Sequence, residues 1–371
     1  MEANNDEPLP EHSQAKVKLL GLYLDRYLNI ISNLPYINGI KIFDLFCGEG
    51  LYSNGAHGSP LIILKALKDL YLNRGTRTGP PQIDCNFNDI VPQKIEKLRN
   101  VVAEEELHKP FYGPLSYSTT DYTTKVVEVI SIIEKLGQEK AFIFIDPYGY
   151  KHIKATQIKA LLASKKSEVL MWLPIQFMYR FNEELPVKDF IAELIPIDEW
   201  KQCQSPYEFI EKLTDAFRNF LGNDFFVDTF RIQKDASTVF SLFFFSSHIR
   251  GFEKMLEAKW EMDRKSGMQW TFKRDQPTLF DALDPHPFEN ILENYLRASP
   301  KTNLEIYKFT LHAGFLPKHA VEVLTSWQKS RILEVLENEI PLKKAGTFYI
   351  NYDHFKKGQS LGNKIVTFKI I

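Results

Sequence analysis

The chain has 371 residues, of which 44% are hydrophobic, and a formal net charge of −1. It is long enough for two domains around a sizeable core, and its near-neutral charge excludes a uniformly basic protein, so any nucleic-acid contact must come from local patches. Three cysteines without a CxxC spacing (Cys47, Cys85, Cys203), an acidic polar start and no apolar run of membrane length lead us to expect a cytoplasmic protein with no membrane contact, no disulfide framework and no metal site.

After a polar tail to about Pro10, His12 to Ser32 has helical periodicity through Val17, Leu20, Leu24, Tyr27 and Ile31, and carries His12, Lys16, Lys18 and Arg26. Residues 1–35 are therefore read as a tail and leading helix. A short apolar strand follows and ends in Asp44-Leu45-Phe46-Cys47-Gly48-Glu49-Gly50. Glycines let backbone approach a ligand where a Cβ would collide, and an acid at the strand tip offers a carboxylate to a cationic or hydrogen-donating group. In an α/β sheet this is where a nucleotide-like cofactor sits. S-adenosylmethionine, with its ammonium and sulfonium, fits; a dinucleotide fits less well, because Ser53 stands where its fingerprint needs a third Gly or Ala. Asp44, Phe46, Cys47, Gly48, Glu49 and Gly50 are the expected cofactor contacts of this turn.

A second strand, Gln82 to Asp89, places Asp89 to accept both hydroxyls of a ribose, and a helix is expected over about Pro92 to Val102. Leu115 to Ser118 is a short third strand leading into Asp121 and Tyr122, a polar and aromatic pair suited to an adenine amino group and ring face. Lys140 to Ile145 is a fourth strand, buried on both faces by its unbroken apolar run, and ends in Asp146-Pro147-Tyr148-Gly149. Four acids at four successive strand ends make cofactor binding the favoured reading over a purely structural sheet. Asp146, Pro147 and Tyr148 stand where a methyl acceptor would meet the donor: a carboxylate for an exocyclic amine, a carbonyl, and a ring to stack on a base taken out of its helix. The run is similar to the Asp-Pro-Pro-Tyr signature of nucleic-acid amino-methyltransferases, with Tyr148 and Gly149 replacing the second proline and the aromatic.

The lysine-dense stretch after it (Lys151, His152, Lys154, Lys159, Lys165, Lys166) is read first as a solvated helix face, with Lys151 and Lys154 kept as candidate phosphate contacts. Ser167 to Leu173 is a fifth strand, residues 175–224 a helical insertion rich in aromatics, and Phe225 to Ile232 with Thr238 to Ser246 a late strand pair. His248 and Arg250 are read as a helix cap or a solvated pair, and Met255, Trp260 and Trp270 as core. Residues 36–275 thus form one Rossmann-like α/β domain. A proline- and acid-marked linker separates it from residues 285–371, where three helices and strands at Arg331–Leu336, Thr347–Asn351 and Ile365–Ile370 describe a winged helix. This segment has 12 Lys and Arg against 8 Asp and Glu, a net of +4, so DNA is favoured over protein as its partner, with Lys318, His319, Lys343 and Lys344 as contacts.

Taken together, His12 to Tyr23 with Lys16, the Asp44 to Gly50 turn, Gly58-Ser59-Pro60-Leu61, Ile145 to Gly149, His248 to Gly251 with Met255, Trp260 and Asp263, and Phe309-Thr310 through Gly314-Phe315 to His319 resemble the three-Cys-motif partner (TcmP) family. The resemblance covers nearly the whole chain. It implies a class I methyltransferase-like Rossmann domain with a C-terminal helical addition, working in bacterial or phage modification and defence systems beside a protein with a three-cysteine motif. The chain departs from the family at Asn88-Asp89, where a Glu is usual, at Cys47 (usually Ala) and at Tyr148 (usually Phe). Two other functions stay open: a catalytically degenerate scaffold that recruits DNA or a partner, and a metal-dependent nuclease if the strand-end acids converge.

Overall fold

A computed structural model describes residues 8–73, 81–147, 153–196, 199, 203–272, 287–342, 346 and 348–371. The chain divides into two units, Met1–Phe272 and Lys273–Ile371.

The first unit opens with helix α1 (Glu11–Ile31), whose apolar stripe of Leu19, Leu20, Tyr23, Leu24 and Leu28 is buried. Then come β1 (Gly39–Asp44), α2 (Ser59–Asn73), β2 (Gln82–Asn88), α3 (Pro92–Glu104), β3 (Leu115–Ser118), α4 (Tyr122–Glu134), β4 (Glu139–Ile145), α5 (Ala155–Leu162) and β5 (Ser167–Leu173). Three helices form the insertion: α6 (Ile175–Arg180), α7 (Leu185–Ala192) and α8 (Pro206–Leu221). The hairpin β6 (Phe226–Asp235) and β7 (Thr238–Ser246), helix α9 (Ile249–Met262) and the short β8 (Gln269–Thr271) complete the unit. The eight strands lie in the order β3-β2-β1-β4-β5-β7-β6-β8. Strands β1 to β5 pair in parallel, β7 runs antiparallel to β5 and β6, and β8 is parallel to β6.

This is a mixed α/β fold with a large, mostly parallel sheet, as expected for a methyltransferase-like Rossmann domain. Strand β8 is a difference: three residues with one side chain buried carry too little pattern to read. The central strands explain themselves. Ala141 to Ile145 of β4 and the whole of β5 are buried, because helices cover both faces of a parallel sheet. Chain order reverses at β1, with β2 on one side and β4 on the other, and this is where such sheets leave a crevice beyond their strand tips. Asp44 is registered against Phe144, so Asp146 lies just past the level of Asp44 on the neighbouring strand. Helix α1 packs on α2 and α9, and its Lys16 reaches Asp146 just beyond the tip of β4.

The second unit contains α10 (Pro287–Ala298), β9 (Lys301–Thr302), α11 (Asn303–His312), α12 (Pro317–Lys329), β10 (Leu333–Glu337), β11 (Ile340–Pro341), α13 (Tyr352–Lys357) and β12 (Thr367–Ile370). Its antiparallel sheet has the order β11-β10-β12-β9. The capping box at Thr302 and Glu305 forms as read: Glu305 N–H donates to Thr302 Oγ1 at 3.3 Å and Thr302 N–H to Glu305 Oε2 at 2.8 Å. The strand expected over Thr347–Asn351 is a correction. Residue 347 lies outside the described residues, Tyr349 takes a left-handed φ of 54°, and Asn351 caps α13 by accepting from His354 N–H at 3.0 Å. An Asn cap outweighs the weak strand preference of the short aromatic run before it. No described helix is long and apolar enough to cross a membrane.

Candidate cofactor and acceptor site

The turn after β1 is built by its neighbours. Gly48 (φ 63°) and Gly50 (φ 81°) are left-handed, and a Cβ on Gly50 would stand 2.6 Å from Leu98 Cδ1. Asp89 holds the turn in place: its Oδ2 accepts from Gly48 N–H at 3.1 Å and its Oδ1 from Val91 N–H at 2.9 Å. Asn88 ties three strand ends together. Its amide donates to Thr120 O at 2.9 Å and Leu45 O at 3.4 Å, while its Oδ1 accepts from Ser118 Oγ at 2.8 Å.

Within this frame Asp44 is fully buried. Its Oδ1 accepts from Phe46 N–H at 3.3 Å, but its Oδ2 has no hydrogen-bond partner. Burial pushes the Asp44 carboxyl up to about 7, reinforced by Asp146 and opposed by the Ser59 hydroxyl, the Phe46 N–H and Lys16. A buried carboxylate oxygen without a donor costs free energy that a cationic or N–H-bearing ligand would recover.

At the tip of β4, Asp146 is ion-paired through its Oδ2 with Lys16 of α1, a residue not singled out from the sequence as a site residue. The Lys16 ammonium also sits 4.9 Å from the centre of the Trp172 ring on β5. Half-buried Tyr52 is within electrostatic reach of Asp146, Glu49 and Asp44, and burial with those carboxylates pushes its hydroxyl up to about 12.

The other expected contacts divide. Glu49 is buried and already paired with Lys97 at 2.7 Å. Cys47 is buried, which raises its thiol pKa well above the usual range. Tyr122 is buried against Phe46, ring centroids 5.1 Å apart, and its hydroxyl donates to Gln157 at 3.2 Å. It therefore props Phe46, and the half-buried Phe46 ring is the aromatic surface left near the turn. Asp121 caps α4 by accepting from Thr123 N–H at 2.9 Å. Pro147 is buried beside Asp146, whereas Tyr148 and Lys151 lie outside the described residues, as do Lys343 and Lys344.

Lys154 is exposed at the start of α5, and the lysines after it have partners: Lys159 reaches Phe220 O at 3.1 Å and Lys165 pairs with Asp224 at 2.6 Å. In the second unit Lys318 is exposed, but His319 is buried, its Nδ1 accepting from Leu316 N–H at 3.1 Å to close the start of α12. His248 likewise caps α9, its Nδ1 accepting from Arg250 N–H at 3.2 Å. Among the described residues, no three His, Cys, Asp or Glu side chains group in a metal-binding arrangement.

No family model matches the chain, and no curated protein matches it. Among solved structures, similar ones include a protein from Legionella pneumophila str. Philadelphia 1, at 13% identity over 62% of this chain and 84% of that one, TM-score 0.38. Trm1 from Pyrococcus horikoshii, solved with S-adenosyl-L-methionine, is 13% identical over 66% of this chain and 58% of its own, TM-score 0.36. An rRNA methylase from Streptococcus thermophilus is 8% identical over 61% of this chain and 93% of its own, TM-score 0.31. These scores are low, and the fold assignment rests on the strand order itself.

Proposed function

We propose that the first unit binds S-adenosylmethionine at the tips of β1 and β2 and transfers its methyl group to a base in nucleic acid. The observation that carries this reading is the buried Asp44 Oδ2 with no donor, beside the left-handed glycine turn of Gly48 and Gly50. The ammonium of S-adenosylmethionine can donate the missing hydrogen bond and its sulfonium adds positive charge; a phosphate-bearing dinucleotide brings the wrong charge. The turn at Phe46 to Gly50 would line the cofactor, with Asp89, Asp121 and Tyr122 shaping the ribose and adenine end. When bound, the cofactor supplies an electrophilic methyl on sulfur. The chain's part is alignment and exclusion of water. Asp146 would accept a hydrogen bond from the acceptor amine and orient its lone pair, with Pro147 and Tyr148 completing the acceptor wall.

The second unit supports a nucleic-acid partner. Its helix-strand-helix-helix-strand order, with β12 returning between β9 and β10, suits a winged helix whose α12 enters a groove and whose lysines, Lys318, Lys343 and Lys344 among them, meet phosphate. Lys151 and Lys154 of the first unit would meet phosphate beside the acceptor wall. The sequence resemblance supports membership of the TcmP family and work beside a three-Cys-motif protein in a modification or defence system.

The test is calorimetric titration of the purified protein with S-adenosylmethionine and S-adenosylhomocysteine, beside Asp44→Ala and Gly48→Arg. Binding by the intact protein, weakened by at least about 100-fold in Asp44→Ala and abolished in Gly48→Arg, is expected. If the intact protein binds neither compound, with or without DNA, the methyltransferase reading is wrong.

A further inference from the structure

The Lys16 ammonium has two partners. It bonds Asp146 and lies over the Trp172 ring, and the two charged side chains are only 11% and 19% exposed. The ring is fixed in turn: Trp172 stacks on Phe240 at 4.8 Å and Phe240 stacks on His12 at 5.3 Å. His12 is one turn before Lys16 on α1, so one helix supplies both the cation and the far side of the wall it rests on. Burial, with the nearby Lys234 and Lys16, lowers the His12 pKa to about 4, so this wall is neutral in ordinary buffers. Lys16 is thus a cation that faces two strand-tip acids, bonded to Asp146 and within electrostatic reach of Asp44.

We propose that Lys16 sets the charge of the site and thereby determines how strongly it prefers the cationic cofactor over its neutral product. The inference rests on the cofactor reading above. S-adenosylmethionine carries one net positive charge; S-adenosylhomocysteine, having lost the sulfonium, carries none. With Lys16 offsetting Asp146, the carboxylate left to face the ligand is Asp44, which attracts one charge. Without Lys16 both acids face it, and the cation is held too tightly relative to the product. Lys16 also occupies one oxygen of Asp146, which leaves the other to an acceptor N–H and fixes where that acceptor lies.

The readout is the ratio of the two dissociation constants, product over cofactor, by calorimetry at low salt and about pH 8, where Asp44 is ionised. Lys16→Met keeps the hydrocarbon over Trp172 and should raise the ratio by roughly fivefold, as expected for a unit charge several ångströms from the ligand in a partly buried site. Asp146→Asn should lower it by about the same factor, and the double variant should return it to within about twofold of the parent. Lys16→Arg, which keeps charge and ring contact, should leave it unchanged. A ratio that does not move in Lys16→Met and Asp146→Asn, with both compounds still bound, overturns the proposal and makes Lys16 a structural tie between α1 and β4. Should Lys16→Met fail to fold, Asp146→Asn and the double variant decide alone. A parent protein that binds neither compound overturns the cofactor reading itself, a result distinct from an unmoved ratio.

Discussion

Two acids are buried in the same sheet, and only one has an oxygen without a hydrogen-bond partner. Asp44 ends β1 with its Oδ2 bonded to nothing, whereas Glu168 sits near the start of β5 with both oxygens occupied. The Tyr23 hydroxyl donates to Glu168 Oε2 and the Ser246 hydroxyl to Oε1 at 2.7 Å. Burial raises the pKa of both. Neither burial nor a perturbed pKa therefore separates these two acids; the unmet hydrogen bond at Asp44 does, and of the two only Asp44 would let a ligand recover a cost of desolvation.

The sharpest way to strain the structural acid is Gly251→Ala on α9. A Cβ there would stand 1.9 Å from Oε1 of Glu168, whose carboxylate is held by one hydroxyl on each oxygen. Displacing the carboxylate should cost about 3 kcal/mol, measured by urea unfolding, while cofactor affinity of the folded protein changes little. A change below about 1 kcal/mol would show the network to be loose.

Removing the charge at each acid should then give opposite signs. Glu168→Gln leaves one of the two hydroxyls facing an amide donor and should lose about 2 kcal/mol. Asp44→Asn removes a desolvated charge that no group fully answers and should gain about 1 kcal/mol near pH 8, while cofactor binding is lost. Loss of stability in both would break the comparison.

Much of this was legible before any coordinates. Asp44, Gly48 and Gly50 fall within seven residues, so strand, acid and turn are read together, and the unbroken apolar run of β4 marks a central strand. What escaped depends on distance or on competition among local partners. Lys16 and Asp146 are 130 residues apart, and an isolated lysine on a helix is ordinarily a solvated one. A strand over Thr347–Asn351 fails because a cap at Asn351 starts a helix instead. Tyr122 and His319 have the right chemistry for ligands, but both are buried with partners of their own, and side-chain satisfaction is a tertiary property.

Asp44 also predicts a pH dependence with a definite sign. Its folded pKa, about 7, is raised above the unfolded value, so the stability it contributes is fully present below the unfolded pKa and is lost as pH rises through 7. The slope from this group is at most about 1.4 kcal/mol per pH unit. Cofactor affinity should run the other way, rising up to about tenfold per unit as Asp44 ionises and levelling off above pH 7. The stability slope should disappear in Asp44→Asn. The remaining binding step in that variant, if any, should be flat with pH in a titration series.

Asp89 is the case in which position and satisfaction disagree. It lies at the same end of the sheet as Asp44, yet both its oxygens accept backbone N–H groups and it is as fully answered as Glu168. If unmet hydrogen bonding marks the contact, Asp89 acts chiefly through the turn it holds. Asp89→Asn keeps one of the two bonds, so it should cost only about 1 kcal/mol of stability and weaken the cofactor severalfold by loosening Gly48. Both effects would be smaller than those at Glu168 and Asp44. A complete loss of binding with no loss of stability would instead make Asp89 a direct ribose contact through its remaining lone pairs. In that event a carboxylate can serve the fold and the ligand at once, and the distinction drawn between Asp44 and Glu168 would hold only for acids with no lone pair to spare.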